Sequence, residues 1–235
     1  MPLVAAYATV TVLHMARRPS WRLAAVVLVL LVGVSAVATL VGDDGDEPDA
    51  DDIPQLFLDA WQRSREATFR SVADFTRHSN STGAELHHQQ IVAQRPPDRL
   101  FVDGDGATGI VEGERLACDF REQRLHCDRA EAQRTLAEET EQQLETLADY
   151  VEGEDPLYVI EADLETEVGA CFELTLTRDI VAPPLGNLTR YCFDDETGAP
   201  SETHVERDEA NDDLVLTQLT GEVTDADLDP RTVFG

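Results

Sequence analysis

The chain has 235 residues, 42% of them apolar and 28% charged, and its 47 acids outnumber 18 basic residues, all arginine, for a formal net charge of -29 at pH 7. That length suits one medium domain with a short appendage. Such acidity excludes a nucleic-acid partner, because phosphate binding draws on a basic face that releases counterions, and the apolar content is too high for wholesale disorder.

Charge is distributed unevenly. Residues 1–42 hold Arg17, Arg18 and Arg22 and no acid, so the other 193 residues carry 15 arginines against 47 acids, a net of -32. Leu23–Gly42 is a run of twenty uncharged residues, which as a helix measures ~30 Å and spans a bilayer. Arginines before it and DDGDEPDADD after it place the amino terminus (1–22) in the cytoplasm and the large domain outside. The run reads as a membrane anchor because apolar sequence continues past Ala38 through Leu40, Val41 and Gly42. A cleavable signal peptide is the alternative: from Met15 the order is arginines, an apolar run, then Ala36-Val37-Ala38, giving a secreted form after cleavage near Ala38. Either way the domain is exported.

Asp43–Asp52, with seven acids, Gly45 and Pro48, reads as a solvated, self-repelling spacer. It fails as a calcium loop because no register supplies alternate oxygen ligands, a central glycine and a twelfth-position glutamate together. A helix follows: Pro54 stands near its start, and Ile53, Leu56, Phe57, Ala60, Trp61, Ser64 and Ala67 make one stripe at helical spacing. From Ser71 the period changes to alternation. Ser71–Ser79, Glu85–Arg95, Arg99–Asp103, Ala107–Glu112, Arg115–Phe120 and Leu125–Asp128 read as short antiparallel strands separated by Asn, Gly, Pro and Asp turns. Arg129–Val151 reads as a second helix, with Ala132, Leu136, Thr140, Leu144, Leu147 and Val151 on one face. Strands resume at Leu157–Glu161, Cys171–Arg178, Leu188–Asp194, Ser201–Asp208 and Leu214–Val223. The pattern is one α+β domain within residues 53–235.

Four cysteines in an exported domain suggest two disulfides. Cys118 and Cys127 are symmetric about Arg121–Arg124, and Cys171 and Cys192 about Val181-Ala182. Each pair is therefore expected to face across its own hairpin, as Cys118–Cys127 and Cys171–Cys192. No catalytic constellation or cofactor motif emerges. His87 and His88 should point to opposite faces of a strand and so cannot share a metal; no G-x-S-x-G elbow occurs; and with 47 acids, paired carboxylates are expected by chance. The acidity itself suits a surface kept soluble by self-repulsion.

The first helix, the meander with Arg95-Pro96-Pro97-Asp98-Arg99-Leu100, the Val111-Glu112-Gly113 hairpin, the inserted helix, Tyr191-Cys192-Phe193-Asp194 followed by Glu196-Thr197-Gly198-Ala199-Pro200, and the Asp225–Pro230 ending resemble the LolA-like periplasmic lipoprotein-carrier superfamily with its mycobacterial half-barrel lipoprotein relatives. The resemblance implies a half-barrel: a curved antiparallel sheet with two helices packed on its concave side and an apolar cavity for acyl chains. Alternation then nominates Phe69, Phe75, Ile91, Leu174, Leu176, Val215 and Leu219 as concave lining. Phe57 and Trp61 on the first helix and Leu136, Leu144 and Leu147 on the second should cover it, with helix 129–151 as a lid. The expected function is a membrane-tethered, non-enzymatic domain binding a lipid or acylated ligand. An interaction or sensory ectodomain without a cavity is the alternative, and an unrecognised hydrolase a third reading.

Overall fold

In a computed structural model of the chain, the described residues are 49–121 and 124–234. The anchor, the cleavage site and most of the acidic spacer lie outside them. Among the described residues no helix is long and apolar enough to cross a membrane.

Eleven strands form one sheet: β1 Phe69–Ser79, β2 Glu85–Arg95, β3 Asp98–Asp103, β4 Gly106–Val111, β5 Glu114–Arg121, β6 Arg124–Glu131, β7 Tyr158–Thr166, β8 Gly169–Leu176, β9 Leu188–Phe193, β10 Pro200–Glu206 and β11 Ala210–Thr220. Their order is β6-β5-β4-β3-β2-β1-β11-β10-β9-β8-β7, and every pairing is antiparallel. Two meanders thus meet at β1 and β11 in the middle. Helix α1 (Ile53–Glu66) precedes β1, α2 (Leu136–Val151) connects the two outermost strands, and the short α3 (Pro230–Val233) closes the chain.

Residues opposite each other on a ladder share a face, so the register traces one face across the sheet: Phe172, Tyr191, Thr203, Leu214, Phe75 and His88. Both helices pack here. The Phe57 ring of α1 lies 5.6 Å from Phe172 and 6.0 Å from Tyr191, and Leu147 and Val151 of α2 join Tyr158, Ile160 and Leu174 in the same core. The sheet curls round them. Phe101 on β3 and Phe193 on β9 line one cavity, although five strand spacings would put them ~24 Å apart in a flat sheet. The fold is therefore a curved, open antiparallel sheet with helices on its inner face.

A second core sits on the opposite face, where the sequence reading placed none. Ala93, Leu100, Val102, Ala107, Leu116 and Cys118 are covered by Leu228, with Val223, Val233 and Phe234 of the carboxyl-terminal segment against them. Ile91, expected on the concave side, packs into this outer core, since it pairs with Val72 and Val102. Val215, also expected on the concave side, faces outward for a different reason. A bulge makes Ala73 pair with Leu216 but Val72 with Gln218, leaving Thr217 as the extra residue. The face alternation therefore breaks: Leu219, opposite Ser71, turns inward, whereas Val215, opposite Asp74, points outward and is exposed.

The second helix also starts later than expected. Arg129, Ala130 and Glu131 continue β6 opposite Leu116, Arg115 and Glu114, and the helix begins after Thr135. There the Thr135 hydroxyl accepts from the Glu138 backbone N–H at 3.2 Å, while the Glu138 carboxylate accepts from the Thr135 N–H at 2.8 Å. This reciprocal cap satisfies two donors that a helix start otherwise leaves open.

The expected disulfides are present. Cys118 faces Cys127 and Cys171 faces Cys192 across adjacent strands, bonded in both cases.

His204 supplies a pH test of the β10–β11 pair. Burial opposes its charged form, but the bonds to Asp213 (2.6 Å) and Glu206 (3.2 Å) outweigh it and raise its pKa. A raised folded pKa stabilises fully below the unfolded value of ~6.5 and is lost as pH rises through the folded value. His204→Gln should therefore destabilise the protein more at pH 5.5 than at pH 9, measured by urea unfolding. An equal loss at both pH values would refute the coupling.

Candidate functional site

Between α1 and the inner face the fold leaves a cavity of about 180 Å³. Trp61, Ser64 and Arg65 form its roof, because positions i, i+3 and i+4 share one helix face. Its walls are Phe69, Ser71 and Ala73 of β1, Val92 and Gln94 of β2, Arg99 and Phe101 of β3, and Tyr191, Phe193, Thr203 and Leu214 from the second meander. Trp61 meets Tyr191 edge-on at 5.3 Å and Phe193 at 6.4 Å, so one wall is aromatic. Two grooves adjoin it. One of about 640 Å³ runs between α1 and α2 beside Pro96 and Pro97, and one of about 270 Å³ lies under α2 along β3 to β5. Arg65 lines all three spaces, and Arg99 and Phe101 line two. The inner cavity is little larger than one that holds benzene, at ~150 Å³, so it encloses by itself only a short apolar group.

The polar groups of this cavity are incompletely satisfied. Gln94 is fully buried, and its Nε2 donates to the carbonyls of Ser64 and Ala67, both at 2.8 Å. Two donated bonds fix the amide's orientation and leave Oε1 as a buried acceptor without a partner. Trp61 Nε1, Arg65 Nε and Arg99 Nε are likewise buried and unpartnered among the described residues. Burial lowers the Arg65 pKa from its ordinary value, opposed by Glu139; an arginine remains charged regardless. Glu139 also contacts Arg115 at the edge of the smaller groove. Burial pushes the Tyr191 phenol up to about 12, so its ring stays neutral on the wall. The arrangement is therefore an apolar enclosure with a few convergent donors, the lining typical of small-molecule sites.

The residues nominated from sequence divide between core and cavity. Trp61 and Phe69 line the cavity, and Leu136 and Leu144 line the grooves. Phe57, Leu147 and Leu174 are core, with Leu176 packed against it. Phe75 sits on the inner face beyond the cavity, its ring 4.8 Å from that of His88, and Leu219 lies inward opposite Ser71. The first turns of α2 roof the grooves while Leu147 and Val151 hold its far end in the core. Arg65, Gln94, Arg99, Phe101, Tyr191 and Phe193 also line the cavity and are not among the residues that periodicity nominates. Arg65 could be nominated, since it shares the Trp61 face of α1 at i+4. For Gln94, Arg99 and Phe101 the sequence holds no signal, because β2 and β3 carry apolar side chains on both faces.

His87 and His88 lie on opposite faces, opposite Thr76 and Phe75 respectively. Glu85 sits between His78 and His87 at 3.5 and 3.2 Å, which holds its pKa low, through His87 first. Among the described residues no group of three or more such side chains is arranged to hold a metal ion.

Fold and site together define a curved open-sheet domain with an apolar, arginine-rimmed cavity. No protein-family model matches the chain, and no curated protein does. A LolA superfamily protein from Nitrosomonas europaea is similar at 10% identity and TM-score 0.32, over 76% of this chain and 98% of that one. LprF from Mycobacterium bovis is similar at 13% identity and TM-score 0.39, over 76% and 96%, and an outer membrane lipoprotein-sorting protein domain from Vibrio parahaemolyticus at 6% and 0.28, over 73% and 93%. Likenesses this distant assign no ligand to the cavity.

Proposed function

We propose that this is a non-enzymatic domain of the cell envelope that holds a lipid or acyl chain against the inner face of its sheet, tethered outside the membrane through residues 23–42. The observation that carries this reading is the unfilled aromatic cavity under α1, with two grooves beside it that share Arg65 as a lining residue. A cavity-free interaction domain would fill that space with side chains. Each acyl methylene transferred from water contributes ~0.8 kcal/mol, so roughly ten of them reach micromolar strength before ordering costs. Two disulfides suit an oxidising compartment outside the cytoplasm.

The test is occupancy. Full-length protein extracted mildly from membranes should carry a lipid in native mass spectra. Val92→Phe, which places a ring in the cavity, should lower that occupancy several-fold while shifting stability by only about 1–3 kcal/mol. Lipid-free wild-type protein that also takes up no added acyl chain would end the proposal, as would unchanged occupancy in a folded Val92→Phe variant.

A further inference from the structure

In a chain of net charge -29, the cavity under α1 has no carboxylate on its wall, and the smaller groove has one, Glu139. Three arginines line these two spaces: Arg65, Arg99 and Arg115. Glu139 is taken up by Arg115. Arg65 and Arg99 make no close ion pair among the described residues, and each keeps a buried Nε–H without an acceptor. Unpaired buried donors of charged groups are expensive, and the surface of this protein offers many acids that could have neutralised them. The neighbouring Trp61 Nε1 adds a third open donor and Gln94 Oε1 an open acceptor.

We infer that Arg65 and Arg99 form the head-group site of an anionic amphiphile, holding its acid oxygens at the cavity mouth while the apolar tail lies along the Phe69, Val92 and Phe193 wall. The inference rests on the lipid-binding reading above and adds the chemistry of the head. A guanidinium presents planar, paired donors that match carboxylate and phosphate oxygens. A neutral ester or alcohol head supplies weaker acceptors and leaves both charges unmatched. The carboxylate of a fatty acid and the phosphate of a lysophosphatidate share the required chemistry. Only the second also carries a hydroxyl that can donate to Gln94 Oε1. The overall field repels anions, so any preference for an acid must arise locally.

Trp61 lines the cavity, so bromine on a bound chain quenches it at contact range. The experiment uses the full-length chain in amphipol with Trp21→Phe, which leaves Trp61 as its sole tryptophan. It is titrated separately with dibromostearic acid, its methyl ester, and the lysophosphatidate bearing the same chain. We expect one or both acids to quench at least about ten-fold lower concentration than the ester. In Arg65→Met/Arg99→Met that gap should close while ester quenching persists. Equal quenching by acid and ester in the wild type overturns the head-group site and leaves lipid binding standing; so does a gap that survives in the double variant. Absence of quenching by all three probes overturns both. Should the double variant lose its near-ultraviolet signal, the acid-against-ester comparison in the wild type decides alone, and the two acids distinguish carboxylate from phosphate.

Discussion

Phe57→Ala should lower the stability of the protein by about 3–5 kcal/mol, a large part of the ~5–15 typical of a domain. Phe57 has no exposed surface, and its ring lies within 6.0 Å of the rings of Trp61, Phe172 and Tyr191. Removing it deletes apolar burial and leaves a void that these neighbours can only partly fill. Two of them, Trp61 and Tyr191, are also cavity walls, so the same change should weaken acyl-chain uptake. Urea unfolding gives the size of the effect as a shift in midpoint at constant slope. Val159→Ala is the control: Val159 is 52% exposed, and its loss should be within about 0.5 kcal/mol. A Phe57→Ala cost near that of the control would mean that α1 does not seat against β8 and β9.

The second large effect is expected from the Cys171–Cys192 bridge. Its half-cystines are 21 residues apart, and loop closure on that scale restricts the unfolded chain by about 3 kcal/mol. Cys171→Ala/Cys192→Ala should lose that much, lowering the urea midpoint. Removing Cys118–Cys127, with a separation of 9, should cost less, because the shorter loop constrains the unfolded state less. The first bridge ties β8 to β9 directly behind Phe172, Tyr191 and Phe193, which support α1. Its loss should thus reach the cavity, whereas the second lies toward the β6 edge. Equal costs for the two bridges, or none, would contradict this account.

Much of the fold was legible in the sequence because the signals were local. Alternation between turn residues marked all eleven strands. The cysteine pairs could be matched because each sits symmetrically about one turn, so no long-range information was needed. The Ile53–Ala67 stripe marked α1 for the same reason. The start of α2 was misread where two local signals competed: Ala132 extends the stripe by one turn, but Thr135 with Glu138 caps the helix later, and Arg129–Glu131 gain ladder bonds to β5 instead.

What only the tertiary structure decided is which face is inside and what meets there. Alternation separates two faces but cannot rank them when both are apolar, as with Ile91 beside Val92 or Phe101 between Leu100 and Val102. The ranking came from distant partners: α1 covers one face, and the carboxyl-terminal segment at Leu228 covers the other. A single extra residue at Thr217 then reversed the alternation between Val215 and Leu219, a consequence of pairing with β1 that β11 does not encode alone. Arg65 and Arg99 are 34 residues apart and on different elements. They line one cavity because the sheet curls under α1, and sequence periodicity carries no information about curvature.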